Sequence, residues 1–213
     1  LQEWRSRTAG EQFDYVCFDM AQGEKGVMYF ATKGGILEFN GRDWDLMEEV
    51  SAVYSLQIDP SGKIYWGGAK GFGVIGADEH GFNKATVLSD SLVNDVFQSL
   101  IVGDKVYFVT DDLLYALEQD KQITAIKPAS AAETFLKVFE LFGQLYASTD
   151  NGTYRLEGTT LKPSGLNLTS DVVFASRIDN DYVIATSDSR IYTCSQTLVV
   201  KPVTLQDQAY LDA

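Results

Sequence analysis

The sequence predicts an all-β fold, and three observations support it. A strand motif centred on an aromatic residue occurs five times along the 213 residues. Turn-forming residues flank the copies, and 18 glycines against only 4 prolines suit strands that are joined by hairpins. A chain of this length with 45% hydrophobic residues can bury a large core, so we expect one domain, 1–213.

The repeated motif sets the period of the fold. Its anchor positions are separated by 36, 42, 39 and 37 residues, a mean of 38.5. Because the anchor is aromatic in four of the five copies, we expect it to pack between neighbouring sheets. The anchors are Tyr29, Tyr65, Tyr107, Tyr146 and Val183.

Further strands frame each anchor strand. In the second repeat we expect strands near 53–59, 63–68, 73–77 and 85–88, with the turn Pro60-Ser61-Gly62 between the first two. Four antiparallel strands at this period are typical of a blade of a β-propeller. The sequence therefore predicts about five four-stranded blades, which start near residues 15, 53, 96, 135 and 172.

The start of the fourth blade carries a competing pattern. Within 130–142, apolar residues from Phe135 onward recur with helical spacing, and Ser130 could cap such a helix. The repeat register instead makes 135–141 the first strand of the blade. We favour the strand, because a blade without its first strand would leave backbone groups unpaired.

Two repeats resemble a known family. The string LEFNGRDW occupies 37–44, shortly after a glycine turn, and the string IDPSGKIYWGG occupies 58–68. These strings resemble the two-component-regulator propeller repeats of bacterial sensor proteins, especially those of Bacteroidetes. The resemblance is good over 10–82 and fades to a hydrophobic pattern over 90–200. The third repeat departs from the family by having Asp111-Asp112 in place of a glycine after its anchor strand.

The resemblance implies a non-catalytic domain that senses a ligand or binds a protein in a histidine kinase or transcription regulator. A periplasmic or other extracytoplasmic location is expected, with a cytoplasmic one as the alternative. Two other functions stay open: an enzyme acting on a small polar or sugar-like substrate through loop carboxylates, and a constitutive protein-interaction scaffold. The scaffold of WD40 type is disfavoured because Trp-Asp strand ends and Gly-His pairs are missing. No catalytic residue, metal site or cofactor is expected.

Charge and cysteine content narrow the partners. With 17 basic and 30 acidic residues the formal net charge is −13, which argues against binding nucleic acid through this domain. No window approaches 18 consecutive apolar residues, so we expect no membrane insertion within the chain. Cys17 and Cys194 have no neighbouring histidine or CxxC partner, and we expect both to be small buried hydrophobic residues.

Polar residues between the second and third strands of successive repeats are the candidate ligand-binding residues. Such loops collect on one face of a propeller, where a rigid scaffold can hold variable polar groups. The alternative is that the aspartates bond their own backbone in turns. The single histidine, His80, is expected to be a solvated turn residue. The candidates are Lys33, Lys70, Asp111, Asp112, Asp150, Asn151 and Asp188.

The repeat count suggests an incomplete propeller. A sixth first strand would start near residue 209, where the sequence stops. We expect the chain to be part of a larger propeller and to be capable of self-association, because a blade without a neighbour exposes backbone groups at its edge.

Overall fold

The computed structural model describes residues 16–69, 71–77, 79–89, 93–118 and 122–204. These residues form five four-stranded antiparallel sheets, each of which is one blade. Blade 1 contains β1 (Cys17–Gln22), β2 (Met28–Thr32), β3 (Gly35–Phe39) and β4 (Trp44–Met47), with a 3-10 turn at Glu24–Gly26. Blade 2 contains β5 (Val53–Ile58), β6 (Ile64–Gly68), β7 (Gly71–Ala77) and β8 (Asn83–Val87).

The other three blades repeat this arrangement. Blade 3 contains β9 (Gln98–Val102), β10 (Lys105–Val109), β11 (Leu114–Leu117) and β12 (Ile123–Ile126). Blade 4 contains β13 (Phe135–Leu141), β14 (Gln144–Thr149), β15 (Gly152–Glu157) and β16 (Thr160–Pro163). Blade 5 contains β17 (Val172–Ile178), β18 (Asp181–Thr186), β19 (Ile191–Cys194) and β20 (Val200–Pro202).

Strands pair in the order in which they occur along the chain, so every blade is a simple meander. The predicted all-β fold of four-stranded propeller blades is confirmed. The competing helix over 130–142 is not formed, and Phe135–Leu141 is the first strand of blade 4, as the repeat register predicts. The expected blade start near residue 15 lies outside the described residues.

The chain divides into two compact units, Leu1–Ser99 and Leu100–Ala213. In the first unit, Tyr29 and Ala31 of blade 1 pack in one cluster with Leu56 and Trp66 of blade 2. In the second unit, residues of blade 4 pack in one cluster with residues of blade 5, namely Phe139, Leu141, Tyr146, Val172, Tyr182, Ile184, Tyr192 and Cys194.

The tyrosine anchors are buried, as the repeat predicts. Tyr29, Tyr65, Tyr107 and Tyr146 are at most 7% exposed, whereas Val183 is half-buried. Burial, followed by the nearby Asp59 carboxylate, raises the pKa of Tyr65 to about 12. The Tyr65 hydroxyl donates to that carboxylate across 3.2 Å.

A bulge near the start of the first strand recurs in four blades. The register shifts after Val53 in β5, after Phe135 in β13 and after Val172 in β17, and β1 shifts in the same way after Cys17. A bulge bends its strand and increases the local twist. The bend lies where the segment from the preceding blade enters the sheet.

The two cysteines differ in their surroundings. Cys194 is fully buried in the core of blade 5, as expected, but Cys17 is exposed, so the prediction for Cys17 was wrong. Cys17 lies at the first position of β1, which is an edge strand of its sheet. No helix in the described part of the chain is long and apolar enough to cross a membrane.

Gly73 in β7 provides a test of how tightly the sheets are packed. A Cβ atom there would lie 1.9 Å from the Thr86 carbonyl oxygen and 2.9 Å from the Trp66 ring. We expect Gly73→Ala to lower the free energy of unfolding by about 1–3 kcal/mol, because the backbone of β8 must shift. Urea unfolding measures this change.

Gly76→Ala is the matched control, because Gly76 lies in the same strand with nothing within 4 Å of its added Cβ. It should change the unfolding free energy by no more than about 0.5 kcal/mol. Equal effects of the two substitutions would contradict the packing described for blade 2.

Candidate functional site

The turns between second and third strands, called here the second hairpins, lie beside the linkers that join successive blades. In the first unit the Ala52 N–H donates to the Lys33 carbonyl across 2.9 Å. In the second unit the Phe135 N–H donates to the Asp111 carbonyl across 2.8 Å. Each of these linkers is therefore bonded to the second hairpin of the blade before it.

A cleft of about 450 Å³ opens at this edge of blades 4 and 5. One wall is the second hairpin of blade 4, and the other is the linker between the two blades. Asp150 and Asn151 are the candidate residues that line it. The lining residues are Asp150, Asn151, Gly152, Thr153, Ser164, Leu166, Leu168, Thr169, Ser170 and Asp171.

Asp150 is held by the linker that leads into its own blade. Its carboxylate accepts from the Thr134 N–H at 3.1 Å and from the Thr134 hydroxyl at 3.2 Å. The Asp150 N–H donates in return to the Thr134 carbonyl across 3.3 Å. Asp150 itself is exposed, so its carboxylate is oriented by Thr134 while it remains open to solvent.

Asn151 is oriented by a buried carboxylate behind the cleft wall. Glu133, which is 7% exposed, accepts from the Asn151 side-chain amide at 3.2 Å. It also accepts from the Thr149 hydroxyl at 3.0 Å and from the Tyr154 hydroxyl at 3.2 Å. Burial first, and then the charge of Glu133, raises the pKa of Tyr154.

Asp188 lies in the second hairpin of blade 5 and does not line the cleft. Its carboxylate accepts from Thr186 at 2.5 Å and from Thr169 at 2.7 Å. The hydrogen bond from Thr186 first, and that from Thr169 second, lower the pKa of Asp188 below its ordinary value. Through Thr169, which does line the cleft, Asp188 is connected to the linker wall.

Asp111, Asp112 and Lys33 are not among the residues that line the cleft. Asp111 is exposed, and Asp112 accepts a hydrogen bond from the Thr110 hydroxyl at 2.8 Å. Lys33 is exposed in the second hairpin of blade 1, in the first unit. Lys70 lies outside the described residues. Asp112 and Asp188 are thus bonded by threonine hydroxyl groups, and two of the seven candidates, Asp150 and Asn151, line the cleft.

The cleft wall combines acceptors, hydroxyl groups and a small apolar surface. Asp150 and Asp171 carry the negative charge, no lysine or arginine is among its lining residues, and Leu166 and Leu168 are half-buried beside four hydroxyl-bearing residues. Such a surface can accept hydrogen bonds from hydroxyl or ammonium groups. Within the described ranges no cluster of three or more His, Cys, Asp or Glu side chains could hold a metal ion.

A second cleft of about 440 Å³ lies in the same unit, at the first hairpins of blades 3 and 4. Its cationic side chains are already paired: Lys105 with Glu118 across 2.7 Å, and Arg155 with Glu157. Since neither cation is available without breaking an ion pair, this cleft is the weaker candidate for a charged ligand.

Glu133 is the functional residue that the sequence did not reveal. It precedes β13 in the segment where helix and strand patterns compete. The available signal was a threonine at the end of the second strand or directly after it in four blades, Thr32, Thr110, Thr149 and Thr186. Each of these hydroxyl groups braces its own hairpin, and Thr149 also reaches Glu133.

Comparisons with known proteins identify the fold. No protein family model matches the chain, and no curated protein matches it significantly. Among solved structures it is similar to two extracellular domains from B. thetaiotaomicron. BT4673, described as a one component system, matches with a TM-score of 0.67 and 16% identity over 91% of this chain and 28% of that one. BT3049, described as a hybrid two component system, matches with a TM-score of 0.69 and 13% identity over 96% of this chain and 30% of that one.

The likeness extends to an enzyme. A catalytically inactive histidine-to-alanine variant of virginiamycin B lyase from Staphylococcus aureus, with quinupristin, matches with a TM-score of 0.65 and 11% identity, over 97% of this chain and 74% of that one. The chain spans less than a third of the two extracellular domains. At these identities the likeness shows the fold, and at that level the expected resemblance to propeller sensor domains is confirmed.

The lowered pKa of Asp188 predicts a measurable acid response. Because the folded-state pKa lies below the unfolded value, the ionised carboxylate contributes stability that is present above about pH 4. That contribution is lost as the pH falls through the lowered folded-state pKa. We expect Thr186→Val to raise the pKa of Asp188 toward its ordinary value, and Thr169→Val to raise it by less.

Carbon-detected NMR titration of the Asp188 carboxyl group measures both shifts. Thr160→Val is the control, because Thr160 lies in β16 and makes no bond to this carboxylate. An unchanged pKa of Asp188 in Thr186→Val would show that this hydrogen bond does not hold the carboxylate.

Proposed function

We propose that the chain is a non-catalytic propeller region of a bacterial signal-transduction protein, located outside the cytoplasm, and that it binds a small polar ligand or a protein partner. The observation that carries this proposal is the cleft between the second hairpin of blade 4 and the linker to blade 5. It lies at the edge of blades 4 and 5 where a second hairpin meets a linker, and its lining includes Asp150 and Asn151.

The fold likeness supports the signalling context. BT4673 and BT3049 are extracellular domains of proteins described as one component and hybrid two component systems. The strings around Gly41 and Gly67 resemble repeats of the same class of sensor.

The chemistry of the wall favours a ligand that donates hydrogen bonds. Asp150 and Asp171 can accept from the hydroxyl groups of a sugar or from an ammonium group, and Leu166 offers an apolar contact beside them. An anionic ligand would be repelled, because the net charge is −13 and no cation lines the wall.

Histidine-dependent catalysis has no support in this chain. The virginiamycin B lyase variant is described as inactive after replacement of a histidine. Here the single histidine, His80, is exposed in the third hairpin of blade 2, with Glu79 beside it at 3.9 Å. An enzyme working through Asp150 and Asp171 remains the second candidate, favoured by the presence of two carboxylates in one cleft.

A blocking substitution tests the site. We expect a thermal-shift screen of neutral saccharides and amino sugars to find a compound that raises the melting temperature of the chain, and raises it further as the compound's concentration increases. Thr153→Lys places a long side chain in the cleft from β15, and we expect it to abolish that shift. Asp150→Asn should weaken it about tenfold in affinity, since a charged acceptor is lost.

Thr160→Lys is the control, because Thr160 is exposed on β16 outside the cleft. A shift that persists in Thr153→Lys would place the site elsewhere. Turnover of the stabilising compound by the wild-type chain, lost in Asp150→Asn, would favour the enzyme instead.

A further inference from the structure

In blade 4 a carboxylate of the linker, Glu133, accepts hydrogen bonds from the second hairpin. Glu133 accepts from Thr149, which ends the second strand, from Asn151, two residues later, and from Tyr154 on the third strand. The three donors are neutral, and Glu133 is buried. A buried carboxylate is retained at acceptable cost when several donors satisfy it.

Blade 5 holds its second hairpin through one carboxylate that comes from the hairpin itself. Asp188 lies two residues after Thr186, which again ends the second strand, and it accepts from that hydroxyl. On the linker side Thr169 donates to Asp188, and its oxygen lies 2.7 Å from the hydroxyl of Tyr192. Because the Thr169 proton is used on Asp188, Tyr192 is the donor in that last bond.

Two positions of these junctions are equivalent: Asn151 and Asp188 each lie two residues after the strand-end threonine, and the two tyrosines share one register position. Tyr154 pairs with Ala147, two residues before Thr149, and Tyr192 pairs with Ile184, two residues before Thr186. In blade 4 the linker supplies the carboxylate and the hairpin supplies an amide. In blade 5 the hairpin supplies the carboxylate and the linker supplies a hydroxyl. In each of the two blades the strand-end threonine therefore donates to one carboxylate, Glu133 or Asp188. Asp150, the second carboxylate at the blade 4 junction, is held separately by Thr134.

These two junctions hold the opposite walls of the cleft. Glu133 fixes the hairpin wall through Asn151, and Asp188 fixes the linker wall through Thr169. Neither carboxylate lines the cleft. We propose that Glu133 and Asp188 are the positioning residues of the binding site, and that the strand-end threonine of blades 4 and 5 requires one carboxylate partner, which can be supplied by the linker or by the hairpin.

The inference rests on the proposed function only in treating the cleft as a binding site. Its structural content is separate, because two carboxylates beside one strand-end threonine would repel each other and none would leave buried donors unsatisfied. Moving the carboxylate of blade 4 from the linker to the hairpin, as in blade 5, tests the proposal directly. The variants are Glu133→Thr, Asn151→Asp and the double variant Glu133→Thr/Asn151→Asp.

Amide hydrogen exchange at 150–153 is the readout, measured on the whole chain without any ligand. We expect each single substitution to speed exchange about tenfold, the first by removing the acceptor and the second by adding a like charge. The double variant should return exchange to within about threefold of the wild-type rate. If Glu133 and Asn151 contributed to stability alone, amide exchange in the double variant would be at least as fast as in the faster single variant.

Unchanged exchange in both single variants, or no recovery in the double variant, would overturn the proposal. If Glu133→Thr does not fold, slower exchange in the double variant than in Asn151→Asp still supports the proposal, and equal or faster exchange refutes it.

Asp188→Asn tests the other wall of the cleft, and faster amide exchange at 166–170 is the expected result. Unchanged exchange there would remove Asp188 from the proposal. Because no ligand is used, failure of the saccharide screen would refute the proposed function without altering this result.

Discussion

Burial of the second strand on both faces is the constraint on which the rest of this structure depends. In blades 2, 3 and 4 almost every residue of β6, β10 and β14 is buried. A strand enclosed in this way can be covered only by sheets stacked on either side, so the repeat becomes a series of blades. Polar groups that must reach solvent are then confined to the ends of the strands. This is why the hairpins and linkers carry the residues available for function.

The linkers convert this stacking into a defined polar surface. Backbone bonds tie linkers to second hairpins, as at Phe135 with Asp111, and side chains complete the junction. At blades 4 and 5 the completing groups are Glu133 and Asp188, which bind threonine and tyrosine hydroxyl groups. A cleft wall held by several hydrogen bonds loses little entropy when a ligand binds, so such a surface is suited to recognition.

The strands and their register were predictable because they follow from local pattern. Alternating β-branched and aromatic residues, with turn residues at a 38.5-residue spacing, located Phe135–Leu141 even though a helical pattern competes there. Packing of Tyr146 followed from its recurrence in the repeat. The exposure of Cys17 was not predictable from the repeat, because Val53, Phe135 and Val172 open the first strands of their blades at the same position and are buried.

The site was predictable only in part. Asp150 and Asn151 were candidates because loops at one position of the repeat share an edge of their blades, and both line the cleft. Glu133 was missed, because its partners Thr149 and Tyr154 lie 16 and 21 residues away and meet it only when the hairpin folds against the linker. A spacing rule within the repeat contains no information about a contact between a linker and a hairpin.

The most direct test of the account is to map where a stabilising saccharide binds, by amide chemical-shift changes in NMR spectra of the whole chain. The account predicts that the largest changes fall at 150–153 and 164–171, the two walls of the cleft. Changes concentrated instead at 102–107 and 155–158, around the second cleft, would contradict it.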